Sequence, residues 1–225
     1  MPPWSAIDTV MFDMDGTLLD LHFDNFFWTE LIPREFGRKH GVTESAAKEI
    51  ITCKYAGVKG TLSWYCLDYW RTELDLDIVE LKLSVRHKIK IRPSVEKLLL
   101  DLQAANKRLL LVTNAHPDSL SLKTGETGIG DYFHHCVSSH RLERAKENHG
   151  FWQALQSIEN YDPERTLLFD DSLPVLRQAK REGIRHLYAI AQPDSKQAHV
   201  EPAEFPQVED FALILPANEK QDCHG

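Results

Sequence analysis

The stretch VMFDMDGTLLD (residues 10–20) runs directly from apolar residues into a group of acidic ones. Residues 7–13 have the pattern of a short buried strand that ends at Asp13. Asp13 and Asp15 are two positions apart, so both side chains point to the same side of the chain as it leaves that strand. Two carboxylates at this spacing repel each other and are costly to desolvate. The pair therefore predicts a cation or a proton between them, or a local reason for the strain.

The pattern of the remaining chain changes twice. Residues 21–90 carry four stretches with apolar residues at helical spacing, which predicts a helical insertion. After Pro93 the chain alternates between predicted helices (94–106, 147–158 and 173–182) and predicted strands (108–113, 134–139, 166–170, 186–190 and 211–215). Strands that alternate with helices are typical of a parallel sheet covered on both faces. We therefore expect an α/β core formed by residues 1–20 and 91–225, with residues 21–90 as a separate helical domain.

Polar residues follow three of the predicted strands. These residues are Asp13, the pair Thr113-Asn114 and the pair Asp170-Asp171. In open α/β sheets the ligand lies beyond the carboxyl ends of the strands, so the three groups are expected at one edge. Several carboxylates around a water-filled space favour a hard divalent cation, and magnesium is the natural choice beside phosphate. A metal ion is therefore predicted to compensate for the negative charge of Asp13 and Asp15.

A phosphate group fits the same edge of the sheet. Thr113 and Asn114 offer a hydroxyl and an amide to phosphate oxygens, and Pro117 starts a predicted helix whose N-terminus favours anions. A phosphoryl group under attack by a carboxylate also needs a positive side chain to neutralise its charge. Lys146 is the candidate. Lys123 is the alternative, but it lies in the predicted helix after Pro117, where a solvated lysine is expected.

Four segments in order resemble the motifs of the haloacid dehalogenase superfamily: DMDGTLLD (13–20), LLLVTN (109–114), Lys146 and LLFDDS (167–172). The resemblance implies a Rossmann-like core with an inserted helical cap. It also implies that Asp13 is a nucleophile forming an aspartyl-phosphate and that Asp15 is the general acid and base. The metal ligands would be Asp13, the backbone carbonyl of Asp15 and Asp170, with Asp171 near the metal or orienting Lys146. Because it has an acid at position 15, the chain resembles the phosphatases of the superfamily rather than its dehalogenases.

The resemblance extends into the insertion. Residues 8–28, 62–70, 112–123 and 164–172 are similar to bacterial purine nucleotidases, which implies GMP and IMP as substrates. Aromatic faces suit purine bases, and the insertion carries five candidates, most of them expected in its core: Trp28, Trp64, Tyr65, Tyr69 and Trp70. Two alternatives remain open. One is a mutase or phosphotransferase that uses the same Asp13 chemistry, and the other is a receiver-like module that accepts phosphate without turnover.

Charge and composition restrict the partners. The net charge is −8, with 26 basic residues that form no long run, which disfavours duplex nucleic acid and anionic membranes. No apolar run approaches the roughly 20 residues needed to cross a bilayer. The four cysteines are scattered without a C-x-x-C pair, and the first residues lack the basic and apolar regions of a secretory signal. We therefore expect a cytoplasmic protein that acts on a small phosphoester.

Overall fold

A computed structural model describes residues 1–200 and 204–216. Within these ranges the chain forms a six-stranded, all-parallel sheet in the order β3-β2-β1-β4-β5-β6. The strands are β1 (Thr9–Phe12), β2 (Arg108–Thr113), β3 (His135–Ser138), β4 (Thr166–Asp170), β5 (His186–Ile190) and β6 (Gln207–Val208). The predicted parallel α/β fold is confirmed, with β1 at its centre.

The segment between β1 and residue 90 is helical. Its helices are α1 (His22–Phe26), a π-helical turn (Phe27–Leu31), α2 (Ile32–His40), α3 (Glu44–Val58), α4 (Leu62–Tyr65), α5 (Leu67–Leu74) and α6 (Ile78–Ser84). Their apolar faces pack together in a hydrophobic cluster of their own, which contains Phe27, Ile51 and Trp70. These helices lie between His22 and Ser84, within the segment predicted to be a helical insertion. Its division from the core at residues 20/21 and 90/91 stays a prediction.

Helices cover both faces of the sheet. The helices of the core are α7 (Val95–Ala104), α8 (Pro117–Thr127), α9 (Phe151–Ile158) and α10 (Leu173–Arg181). Successive residues of β1 alternate between two hydrophobic clusters. Val10 and Phe12 pack with α7, whereas Met11 packs with α9 and α10. Since both faces are dry, the strand is apolar from Val10 to Phe12, and the polar Asp13 directly after Phe12 marks its end.

One predicted strand is wrong. Residues 211–215 were expected to be extended, but Phe211–Ile214 form a 3-10 helix, and the sixth strand is formed by Gln207–Val208 instead. Phe211 and Ile214 are buried three positions apart, whereas Leu213 between them is 68% exposed. The Asp210 side chain accepts a hydrogen bond from the Ala212 backbone N–H at 2.8 Å and starts the turn. A five-residue apolar run does not distinguish these two structures, and burial at a spacing of three decides the outcome.

Two further predictions concern the extent of the core and the membrane-spanning segments. Parts of the predicted core (201–203 and 217–225), together with Cys223, lie outside the described residues. Among the described helices, none is both long and apolar enough to cross a membrane.

Candidate active site

The carboxyl ends of β1, β2 and β4 open into a cavity of about 400 Å³, which the helical insertion lines on the opposite side. The structure brings all seven of the sequence-predicted site residues to this cavity: Asp13, Asp15, Thr113, Asn114, Lys146, Asp170 and Asp171. They come from four separate segments of the chain. Their meeting follows from parallel strands, because the carboxyl ends of such strands lie at one edge.

Lys146 is buried among the carboxylates. Its Nζ donates hydrogen bonds to Asp13 Oδ1, to Asp170 Oδ2 at 2.7 Å and to the Val112 carbonyl at 3.1 Å. Burial lowers the pKa of this ammonium group, but the carboxylates of Asp13 and Asp170 raise it above the ordinary value. Lys146 therefore stays charged and neutralises part of the acidic cluster. Asp171 is not among its hydrogen-bond partners, which favours the alternative that Asp171 lies near the metal, and both alternatives stay predictions.

The acidic cluster carries more negative charge than Lys146 compensates. Burial raises the pKa of Asp13 to about 6, with Asp170 adding to the rise and Lys146 opposing it. Burial also raises the pKa of Asp170, and it raises that of Asp171 well above its ordinary value with help from Asp13 and Asp170. In the described part of the chain the Asp171 carboxylate has no hydrogen-bond partner. A cation among these oxygens would stabilise their ionised forms.

Asp15 has a different basic partner. Lys123 Nζ lies 2.6 Å from Asp15 Oδ1 and 2.6 Å from Asp24 Oδ2, and the Lys123 side chain is only 1% exposed. The prediction that Lys123 is solvated is therefore wrong. Helix α8 turns this residue towards the helical insertion, where two carboxylates compensate for the burial of its charge. Burial raises the pKa of Asp15 to about 6, against the opposing charge of Lys123.

Sequence reasoning missed two residues of this network, Asp24 in α1 and Lys82 in α6. Lys82 Nζ donates a 2.9 Å hydrogen bond to Asp24 Oδ1 and lies 4.5 Å from the centre of the Phe27 ring. Lys123 and Lys82 both lower the pKa of Asp24, against the effect of its burial, to about 2. Asp24 is therefore ionised and links the helical insertion to the core through two buried lysines. The only signal in the sequence is a lysine flanked by leucines on α6, which does not identify its partner.

Asn114 is engaged with the loop that carries Lys146. Its Oδ1 accepts a hydrogen bond from the Lys146 backbone N–H at 2.9 Å, and its Nδ2 donates to Glu147 Oε2 at 2.9 Å. Tyr65 of the insertion donates to the other oxygen of Glu147 at 2.9 Å. Thr113 Oγ1 accepts from the Ala115 backbone N–H at 3.0 Å. Asn114 thus orients the loop of Lys146, and its predicted contact with phosphate stays a prediction, as does that of Thr113.

Gly16 allows the acidic loops to approach each other. Its φ of +84° lies in the left-handed region, and a Cβ at this position would lie 2.5 Å from Asp171 Oδ2. Any larger residue would therefore push Asp171 away from Asp13 and strain the turn after β1.

The match to a known family agrees with this geometry. A family model described as haloacid dehalogenase-like hydrolase matches residues 7–183. The chain belongs to the haloacid dehalogenase-like hydrolases. It is 38% identical over 214 residues to the GMP/IMP nucleotidase YrfG of Escherichia coli, an alignment that covers 95% of this chain and 96% of that protein. The same identity and coverage hold for the nucleotidase of Shigella flexneri. This hydrolase is accordingly a phosphoric monoester hydrolase.

Solved structures support the fold of this hydrolase. A HAD phosphatase from Thermococcus onnurineus has a TM-score of 0.76 at 21% identity and covers 92% of this chain and 96% of its own. A putative beta-phosphoglucomutase from Thermotoga maritima has a TM-score of 0.63 at 20% identity, with coverage of 88% and 89%. At these identities the likeness concerns the fold alone.

The aromatic side chains of this hydrolase divide between the cavity and the core of the insertion. Of the five predicted candidates, Trp28, Trp64, Tyr65 and Trp70 line the cavity, and Tyr69 does not. Trp70 is only 1% exposed, and its Nε1 donates to the Trp64 carbonyl at 2.8 Å. Trp70 belongs to the hydrophobic cluster of the insertion, and Trp28, Trp64 and Tyr69 pack against that cluster, as expected for a mostly structural set. Trp28 and Trp64 are only half-buried and are therefore also in reach of a ligand.

Proposed function

We propose that this hydrolase releases inorganic phosphate from purine nucleoside 5′-monophosphates, GMP and IMP, through an aspartyl-phosphate on Asp13 and with Mg²⁺ as cofactor. The observation that carries the proposal is the 38% identity, across nearly the whole chain, to a protein named GMP/IMP nucleotidase. The cavity supports it, because acidic residues line one side and aromatic residues the other.

Asp13 is the proposed nucleophile. Lys146 occupies Asp13 Oδ1, so the other carboxylate oxygen is the one that attacks phosphorus. As the new bond between that oxygen and phosphorus forms, the bond between phosphorus and the 5′ oxygen breaks and the nucleoside leaves. Water then attacks the phosphorus, the Asp13–phosphorus bond breaks, and the Asp13 carboxylate is restored together with free phosphate.

Asp15 is the proposed general acid and base. It protonates the departing 5′ oxygen in the first step and accepts a proton from the attacking water in the second. Its raised pKa of about 6 supports this role, since both protonation states are accessible near neutral pH. Lys123 positions the carboxyl group by occupying Asp15 Oδ1, which leaves the second oxygen for proton transfer.

The residues present fit a magnesium ion. The cluster has four carboxyl groups, burial raises the pKa of each, and Asp171 lacks a hydrogen-bond donor among the described residues. Mg²⁺ prefers oxygen ligands and keeps several waters. Asp13, the backbone carbonyl of Asp15 and Asp170 would hold the ion, with Asp171 close by. When bound, it neutralises charge on the phosphoryl group and on the carboxylates.

The remaining groups bind and enclose the substrate in this proposal. Lys146, Thr113 and Asn114 hold the phosphate near the start of α8, since the N-terminus of a helix favours anions. The helical insertion acts as a cap, which keeps bulk water from the reacting phosphorus. A cavity of about 400 Å³ lies in the usual range for small-molecule sites, and Trp28 and Trp64 offer faces to the purine. The cytoplasmic location stays a prediction.

Phosphate release from nucleoside 5′-monophosphates and sugar phosphates, with magnesium and with EDTA, tests the proposal. We expect magnesium-dependent release with GMP and IMP as the best substrates. Trp28→Ala should raise KM for GMP, whereas Tyr69→Ala, outside the cavity, should not. Release led by a sugar phosphate would refute the nucleotide preference. Transfer of phosphate between two sugar positions would indicate a mutase, and phosphorylation of Asp13 without turnover would indicate a receiver-like module.

A further inference from the structure

A second cluster of metal-binding side chains lies apart from the acidic one. One ligand atom each of Cys66, His116 and His140 lies within 4.8 Å of the other two. Cys66 connects α4 and α5 of the helical insertion, whereas His116 follows β2 and His140 follows β3. The three side chains therefore meet across the seam between the insertion and the sheet.

Within the described part of the chain, one nitrogen atom of the cluster lacks a hydrogen-bond partner. Among the described residues, His140 Nε2 is buried and has no hydrogen-bond partner. Leaving a buried polar atom unpaired is costly, so such an atom indicates a missing ligand or water. The His116 ring lies with its centre 5.0 Å from that of His140, at an angle of 76°. His116 Nδ1 accepts a hydrogen bond from the Asp118 backbone N–H at 3.3 Å, so Nε2 is the nitrogen of His116 that a shared ion would use.

The chemical types of the three ligand side chains favour one class of metal ion. One thiol and two imidazoles suit a borderline-soft cation such as zinc, whereas magnesium requires oxygen ligands. We propose that Cys66, His116 and His140 bind one zinc ion that ties the helical insertion to the sheet. Zinc holds sulfur at about 2.3 Å and nitrogen at about 2.0–2.1 Å, which needs small side-chain rotations from the present separations.

The surroundings of the cluster fit this assignment. Burial lowers the pKa of His140, and the neighbouring His116 lowers it further, which keeps the imidazole neutral and able to ligate. Asp68 of α5 has its Oδ2 3.6 Å from His116 Nε2 and offers an oxygen ligand for a fourth position. Cys66 and His140 do not line the catalytic cavity, and His116 is the one residue of the cluster that does.

Zinc at this position would hold the insertion against the sheet. His116 belongs to both the cluster and the wall of the cavity, so the ion would lie at the edge of the route by which substrate enters. Binding of zinc should therefore slow entry and release. This consequence rests on the proposed function, whereas the binding of the metal does not.

Cobalt(II) is the probe for the site, because a bound thiolate gives it a charge-transfer absorption in the near ultraviolet. The full chain, reduced with a phosphine and kept in excess magnesium, should show this band at one equivalent of cobalt, and zinc should remove it. Cys66→Ala and His140→Ala should each abolish the band, whereas Cys53→Ala, at an exposed cysteine of α3, should keep it. Loss of a single group that hydrogen-bonds to a metal ligand already weakens metal binding by roughly 10–100-fold, so loss of a ligand should exceed this.

The absence of the band in the unmodified chain, or its presence in Cys66→Ala, would overturn the zinc site. Turnover of a phosphomonoester in saturating magnesium tests whether zinc slows the entry and release of substrate. Zinc should slow the unmodified chain and Cys53→Ala at concentrations roughly tenfold or more below those that affect Cys66→Ala. Equal sensitivity of both variants would refute the link to substrate entry. If no phosphoester is hydrolysed at all, the proposed function fails, and the cobalt spectrum still decides the metal site.

Discussion

The ammonium group of Lys123 lies 2.6 Å from Asp15 Oδ1, in the interior of the protein. The same group lies 2.6 Å from Asp24 Oδ2 of the helical insertion. One lysine of α8 therefore connects the proposed acid and base to the helices that cover the cavity. The position of Asp15 depends on this contact, because the Asp15 side chain accepts no hydrogen bond from any other described residue.

Replacement of Lys123 tests this connection. Lys123→Met removes the buried cation that lies between the carboxylates of Asp15 and Asp24, and the free energy of unfolding should fall by about 3–5 kcal/mol. Urea unfolding measures the loss. Lys97→Met is the matched control, because Lys97 is 60% exposed and pairs with Asp101 on one helix, a contact worth at most about 1 kcal/mol. Similar losses of unfolding free energy in both variants would show that the buried contact adds no more stability than the exposed ion pair.

Replacement of Asp13 tests the nucleophile. An amide oxygen is too weak a nucleophile to attack phosphorus, so Asp13→Asn should lower kcat by on the order of 10⁴-fold or more. Lys146 keeps Asp170 as a partner, and the circular dichroism spectrum should not change. Asp118→Asn, at a 57% exposed acid of α8, is the control and should retain its activity. Normal turnover by Asp13→Asn would exclude the aspartyl-phosphate.

Replacement of Gly16 tests the contact between the acidic loops. Gly16→Ala would place a methyl group 2.5 Å from Asp171 Oδ2 and force a strained φ of +84°, so both stability and turnover should fall. Gly57→Ala is the control, because among the described residues no atom outside its own helix backbone lies within 4 Å of its Cβ position in α3. In a helix that change should stabilise the protein by up to about 1 kcal/mol. Equal thermal stability and activity of the two variants would contradict the proposed role of Gly16.

Magnesium should stabilise the protein more at higher pH. The pKa of Asp13 is raised from 3.8 to about 6 in the folded protein, so without metal its ionisation costs folding free energy as the pH rises through this range. The sign follows from the raised value, since protons bind the folded state more tightly than the unfolded one. Magnesium binds the ionised carboxylates and offsets this cost.

Melting temperatures with magnesium and with EDTA, at about pH 5 and about pH 8, measure the effect. We expect a small gain from magnesium at the lower pH and a larger one at the higher pH. The dependence should weaken in Asp13→Asn, which has lost one of the ionising ligands. An equal gain in melting temperature at both pH values would mean that magnesium binds outside the acidic cluster.

The sequence alone determined the sheet and the convergence of its strand ends. Buried parallel strands appear as short apolar runs, and each run that ends in a polar residue marks the same edge of the sheet. Asp13, Thr113 and Asp170 therefore reach one cavity by a rule that needs only the strand pattern. The strand predicted at residues 211–215 failed, because in a run this short the period of burial cannot be recognised before the packing is known.

Only the tertiary structure decided how the helical insertion meets the sheet. Helical spacing predicts that residues 21–90 are helices, but it does not say which side of each helix faces the other unit. The ion pair of Lys123 with Asp24 spans 99 residues of sequence, and the cluster of Cys66 with His116 and His140 joins three segments. Such contacts depend on the docking of two hydrophobic surfaces. Local propensity carries no information about that docking, since the partner of each buried charge lies on another element.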